Sequence, residues 1–457
     1  MTAYDLVPYV NRPYAQTHPS RLFVLGKLAG LDPPPVQTCR VLEMGASEGV
    51  NLIGMAVALP SAHFFGFDLA HTPVERGRRV IADLRLTNIR LDQMDLLEYG
   101  VSSGKFDYII AHGVYAWTPP VVRDRMLGLI HDLLTPQGIA FVSYNVKPAG
   151  YLHKMVREMM LFATRGVEDP RQKLARTREW LRVIAAGKHI ATATRAKELL
   201  ERTDSALLHD DLAEGYEPVY FHEFAEHASS HGLEYLGDAN PLDQSPRDVT
   251  QEEREAILRN AAGDRIAEQQ LLDFVRMRKF RQSVLCHQGI PVSTAWDAAR
   301  AEGLFATSLA REEVSGAFVS PAGARMTTPH PAPIAYLRRL IEAAPQAEIV
   351  SAEDAPLATQ LFGAGLIELH ACEGIAVRAG EKPAASPWAR YQVARGDAHV
   401  TTLWHRPVEI VGEPMRRLFE LLDGTADRIS LAQAMQCSAA DLNQELDWLG
   451  RHALLIA

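Results

Sequence analysis

Between residues 40 and 144, short apolar runs alternate with longer amphipathic stretches. RVLEM (40–44), HFFGFD (63–68), residues 89–95, FDYIIA (106–111) and IAFVSY (139–144) are rich in β-branched and aromatic side chains. Runs of that kind predict strands covered on both faces. Residues 51–59, 73–86 and 121–134 place apolar positions at helical spacing, and a further helix is predicted over 20–30, before the turn at Pro33, Pro34 and Pro35. Strands that alternate with helices predict right-handed crossovers and a parallel sheet.

After Asn145 the pattern changes. Residues 151–205 and 250–280 read as helical and 222–232 as one more helix, whereas 233–239 and 281–288 return to strand character. This predicts an α/β, Rossmann-like sheet of seven strands whose last two arrive late, after a helical insertion at about 151–218. The first domain then runs over 1–290. A middle domain over 291–385 mixes short elements around PHPAP (329–333), and EKPAASPWARYQ (381–392) reads as a linker. The last part, 390–457, predicts three helices and a closing LLIA strand.

Composition narrows the function classes. Of the 457 residues 47% are hydrophobic and 23% charged, as expected of a soluble globular chain. A formal net charge of -9 argues against nucleic acid as the partner. Cys39, Cys286, Cys372 and Cys437 form no CxxC pair. The run His209, Asp210, Asp211 with His222 and His227 lacks the HExxH spacing, so no metal is expected. The N-terminus has no signal-peptide pattern and no apolar stretch is long enough to cross a bilayer, so a cytoplasmic protein without membrane insertion is expected.

The chemistry centres on VLEMGASEGVN (41–51). Gly45 and Gly49 let the backbone turn and approach a ligand, and the next helix offers free N–H groups. A dinucleotide fingerprint would need glycine at 47 and 50, where Ser47 and Val50 stand. Glu43, two residues before the first glycine, would repel a pyrophosphate and suit a cationic ligand. A sulfonium carrying an ammonium, S-adenosylmethionine, fits that requirement; an ordinary strand–helix turn is the alternative. Asp68 ends the second strand, where an acid accepts from ribose hydroxyls, and Asp95 ends the third, within reach of an adenine amino group. His112 to Tyr115 follow the fourth strand, near the place of the methyl group.

DLVPYVNRPYAQTHPSRL (5–22), the loop above, FDYIIAHGVYAWTPP (106–120), GIAFVSYNVKPAG (138–150), LLHDDLAEGYEPVYFHEF (207–224), FRQSVLCHQG (280–289) and LFELLDGTADR (418–428) together resemble one family. It is the class I S-adenosylmethionine-dependent methyltransferases with a methyltransferase regulatory domain, which includes bacterial protein lysine methyltransferases. The resemblance implies a winged-helix-like C-terminal domain, a possible homodimer, and a protein or peptide acceptor with lysine favoured. It implies Glu43, Gly45, Ala46, Ser47, Asn51, Asp68, Leu69, Asp95, Leu96 and His112 around the cofactor. His112, Tyr115 and Tyr144 are expected at the chemistry, and Tyr14, His18, Trp117 and Asn145 at the acceptor; Tyr9 joins Tyr14 and His18 as a candidate lid. Methyl transfer to a small molecule or a peptide carboxylate, and cofactor binding without turnover, are the alternatives. The acidic helix 441–452 would repel phosphates, so protein contact is the expected role of the last domain.

Overall fold

In the computed structural model, which describes residues 12–100, 104–213, 215–246, 248–293 and 295–456, one seven-stranded sheet organises the chain. Its strands are β1 (Arg40–Met44), β2 (His63–Asp68), β3 (Ile89–Gln93), β4 (Phe106–Ala111), β5 (Leu134–Asn145), β6 (Leu233–Asp238) and β7 (Phe280–His287), in the order β3-β2-β1-β4-β5-β7-β6. The first five are parallel, and β7 runs antiparallel to both β5 and β6. The late return to strand character is thus the completion of this sheet. Pro136, Gln137 and Gly138 lie inside β5. The pairs Phe106↔Leu134 and Tyr108↔Ile139 leave residues 135–138 looped out of register.

Alternation sorts the side chains into two cores. Val41, Tyr108, Ile110, Phe141 and Val284 face one way, packed beneath α1 (Pro19–Ala29) and α2 (Val50–Ala58). Leu42, Ile109, Ala140, Val142 and Leu285 face the other. That second layer is covered by α4 (Pro120–Leu133) and α8 (Phe221–Ser230), while α3 (His71–Asp83) joins β2 to β3. The first core continues without a break into the middle domain through Leu304, Leu337 and Phe362, and on to Trp388 and Leu403. Three helices, α5 (Ala149–Ala163), α6 (Pro170–Ala185) and α7 (Ile190–Leu200), make up the insertion around a small core of their own.

The stretch 381–392 is not a linker. Ala384–Ala385 pairs with Leu455–Ile456, and a helix begins at Pro387 with Trp388 buried beneath it. Proline at the first position of that helix is a starting signal, because its missing N–H has no partner to lose there. The three expected helices, Glu413–Leu421, Arg428–Met435 and Ala439–Arg451, follow.

One buried ionic network fastens the late strands. Arg281 on β7 has no exposed surface, and its Nε donates to Asp273 Oδ2 at 2.8 Å. Its Nη1 donates to Asp238 on β6 at 3.1 Å, its Nη2 to Asp273 Oδ1 at 2.9 Å, and its guanidinium lies 3.7 Å from the Phe221 ring. Asp273 belongs to α10 (Arg265–Arg276), which follows α9 (Gln251–Ala261), so strand, strand and helix share one cation. Removing the cation leaves the two buried carboxylates only Arg278, 2.8 Å from Asp238 but 3.7 Å from Asp273, so Asp273 loses its close partner. Arg281→Met is therefore expected to lower the unfolding free energy by about 3–5 kcal/mol, read as a shift of the urea midpoint at unchanged slope.

Candidate active site

β1 ends at Glu43 and Met44, and the chain reverses through a short loop into α2. Gly45 (φ 76°) and Gly49 (φ 68°) are left-handed. A Cβ on Gly45 would lie 2.6 Å from the Val114 side chain, and one on Gly49 2.6 Å from that of Leu91. Only glycine lets this loop lie against its neighbours. Ser47 is left-handed as well (φ 49°), and its backbone N–H is tied to Asp68 Oδ2 at 2.8 Å. The other Asp68 oxygen accepts from the N–H of Ala70 at 2.9 Å, so this acid clasps two loops.

Asn51, in the first turn of α2, is buried, and its amide uses both faces. Nδ2 donates to Glu43 Oε1 at 2.8 Å and to Thr17 Oγ1 at 3.0 Å. Oδ1 accepts from the backbone N–H of Tyr14 at 3.1 Å and from His405 Nε2 at 2.7 Å. His405 comes from the C-terminal domain and is itself buried and left-handed. Burial, then the neighbouring His18, hold it neutral, with its value well below the ordinary imidazole range. Glu43 is left with one oxygen, Oε2, that is buried and has no hydrogen-bond partner. Burial raises the Glu43 carboxyl to about 8, against the pull of the Asn51 bond and with a further push from Asp68.

A cavity of about 1220 Å³ opens at the carboxyl ends of β1 to β5. Glu43, Gly45, Ala46, Ser47 and Asn51 line it after β1, Asp68 and Leu69 after β2, Asp95 and Leu96 after β3, and His112 after β4. Tyr14, Trp117 and Asn145 line it too. The His112 ring lies 3.8 Å from that of Tyr14, and its Nδ1 is 2.9 Å from Ser143 Oγ, which also accepts from the N–H of Gly113. Burial lowers His112 to about 4, so it is neutral at ordinary pH.

Three expected residues face elsewhere. Tyr144 alternates with Ser143 along β5 and points into the second core, stacked 4.0 Å from Phe224 with its hydroxyl on Ser283. Tyr115 is buried beside it, with its hydroxyl 2.8 Å from His227 Nδ1. Neither lines the cavity, so the expected catalytic roles of Tyr115 and Tyr144 are withdrawn. His18 caps α1, accepting from the N–H of Ser20, and lines a separate small pocket toward the C-terminal domain. It is therefore no acceptor contact. Tyr9 lies outside the described residues.

The insertion supplies a wall that the sequence reading missed. A π-helical turn at Leu207–Asp211 brings His209, Asp210 and Asp211 to the cavity; such turns recur at functional sites. Trp117 lies 4.9 Å from the Tyr216 ring, which lies 4.7 Å from that of His153. Arg195 donates to His153 Nδ1 at 2.7 Å, and Asp211 stands 3.7 Å from His153 Nε2 and 3.1 Å from Arg202. Burial raises the Asp211 carboxyl to about 7, although Arg202 and Arg195 pull it down.

Three family models match: a methyltransferase domain over residues 41–138, a methyltransferase regulatory domain over 203–287, and a PKMT C-terminal winged helix domain over 381–447. PKMT2 from Rickettsia typhi is similar over 98% of this chain and 100% of its own, with a TM-score of 0.83 and 27% identity. Its complex with AdoHcy gives a TM-score of 0.82 at 25% identity, with the same coverage. RP789 of Rickettsia prowazekii is 35% identical over 301 residues, 64% of this chain but only 53% of its own length. RP028 of the same organism is 37% identical over 241 residues, 51% of this chain and 96% of its own. The chain belongs to the S-adenosylmethionine-dependent methyltransferases with a methyltransferase regulatory domain. In this methyltransferase the regulatory stretch contains β6 and β7, the strands that complete the catalytic sheet.

The residues present suit the cofactor. The unpartnered Oε2 of Glu43 offers a buried acceptor to a cationic donor, and Gly45, Ala46 and Ser47 of the glycine loop line the cavity with it. A cation facing Oε2 favours the carboxylate over the acid. Binding at neutral pH is thus expected to release a proton, and affinity for S-adenosylmethionine to climb from about pH 6 towards pH 8. Calorimetry in buffers of different ionisation enthalpy reads that proton, and Glu43→Gln is expected to abolish it. The same carboxyl stabilises the ligand-free fold fully below 4.5 and loses that contribution as pH rises through about 8. His405→Ala deprives the Asn51 amide of one donor and is expected to weaken binding about tenfold, with the circular dichroism of the sheet domain unchanged.

Proposed function

We propose that this chain methylates a protein side chain, with lysine as the acceptor. The observation carrying the reading is one continuous cavity with a cofactor wall at one end and an aromatic and acidic wall at the other. S-adenosylmethionine, when bound, would supply an activated methyl group for in-line displacement, with its neutral thioether as the leaving group. The protein's task is then mainly alignment and proton removal.

Glu43, Asn51 and the glycine loop hold the donor end. Trp117 and Tyr216 offer ring faces suited to a lysine stem and to a methylammonium product. A lysine ammonium must lose its proton before it attacks. Asp211, at about 7, is matched to that task near neutral pH, whereas His112, at about 4, is too weak a base. His112 instead orders the floor of the cavity through Tyr14 and Ser143. The PKMT designation of the similar Rickettsia typhi protein accords with this choice of acceptor. The middle and C-terminal domains add surface that a small metabolite would not require.

Incubation with methyl-labelled donor and a bacterial protein extract is expected to label polypeptides, with mass spectrometry locating the added methyl groups on lysine. Label found only in small molecules, or on carboxylates, would end the reading. Asp211→Asn is expected to lower kcat about a hundredfold and to flatten the rise of rate with pH through neutrality, while the affinity for S-adenosylmethionine stays unchanged. Wild-type rates in that variant would remove Asp211 from the chemistry.

A further inference from the structure

On the far side of the loop that follows β4, a second constellation stands apart from the cavity. His227 lies near the end of α8, and His231 follows four residues later as the residue closing that helix. Such spacing puts both rings on one face. Asp124, on the neighbouring α4, reaches across to them. Its Oδ1 is 2.9 Å from His231 Nε2 and 3.5 Å from His227 Nε2. Among the described residues these three form the one group of His, Cys, Asp or Glu whose ligand atoms all lie within 4.8 Å of one another. An ion bound at about 2.0–2.1 Å by such donors sets them roughly 3.3 Å apart, close to the spacing already present.

The orientation of the first ring has a cause of its own. His227 Nδ1 is 2.8 Å from the hydroxyl of buried Tyr115, so the opposite nitrogen, Nε2, faces Asp124. Ligating histidines are held in this way, by a partner on the second ring nitrogen that fixes tautomer and angle. The Tyr115 ring is itself held, edge-on to Phe224 and beneath the Arg123 guanidinium. The partly exposed histidines leave a coordination position open to water. Two imidazoles and one carboxylate suit a borderline divalent ion of the zinc, cobalt or nickel class rather than calcium or magnesium.

We propose that Asp124, His227 and His231 form a site for such a divalent transition-metal ion, one that pins α4 to α8. Tyr115 makes the site more than a surface clip. It stands in the loop whose Val114 and Trp117 line the cavity, so an ion fixing His227 also fixes the root of that loop. The site is independent of the acceptor assignment, since it shares no residue with the cavity wall.

The test uses the full chain, stripped with a chelator and dialysed. Titration with Zn²⁺ by calorimetry is expected to give one equivalent per chain. With Co²⁺, visible absorption bands of a low-coordinate N,N,O site are expected at the same stoichiometry. His227→Ala and His231→Ala should each weaken binding more than tenfold, and the melting temperature of the wild type alone should rise with added Zn²⁺. His399→Ala, at a half-buried position of a hairpin strand in the C-terminal domain, should leave all of this unchanged. Wild-type binding no tighter than that of the His227→Ala/His231→Ala double variant, with both folded by circular dichroism, would overturn the proposal.

Discussion

The cofactor end of this molecule depends on a single buried amide. Asn51 has two N–H groups and one carbonyl oxygen, and each meets a partner from a different part of the chain. One N–H fixes Glu43 and the other Thr17, while the oxygen gathers the Tyr14 backbone and His405. An amide satisfied on both sides cannot turn over without losing several bonds at once. The carboxyl group it holds at the cavity wall is therefore fixed in one orientation. Burial keeps that carboxyl protonated until a cationic donor draws the proton off, and the amide fixes the direction in which the resulting charge points.

The sheet and the insertion divide the remaining work. Strands β1 to β5 bring the loops that bear backbone and acids to one rim, and the register between them decides which side chains reach it. Ser143 reaches the His112 side and Tyr144 does not, because neighbours on a strand face opposite ways. Helices α5 to α7 and the π turn close the opposite wall with charges that compensate one another. Burial lowers His153 and raises Asp211, Arg195 and Arg202 pair with Asp211, and the aromatic rings of Trp117 and Tyr216 connect that wall to the β4 loop.

Much of the cofactor side was legible in the chain, since it is written in contiguous runs. A strand, an acid, two glycines and a helix within eleven residues leave few alternatives, and the acids at the ends of β2 and β3 follow from parallel topology. The fold was legible for the same reason, down to the two late strands. What was not legible depends on contacts distant in sequence. A strand buried on both faces carries no polarity that says which face meets a cavity, so Tyr144 was assigned to the wrong side. His18 was read as a ligand contact, though the Pro19 after it marks a helix start. Residues 381–392 looked like a linker through proline and small residues, while Trp388 carried the opposite signal. The pair His227 and His231 was visible as HASSH, but the carboxylate completing it sits on another helix, 103 residues from His227.

His405 stands 354 residues beyond Asn51. Synthesis runs from the N-terminus, so the sheet and its glycine loop leave the ribosome long before the imidazole that braces them. While the nascent chain is still growing, the amide lacks one of its donors and Glu43 is held by an unfinished bracket. The bracket around Glu43 is thus complete only once the C-terminal domain has been made and has docked.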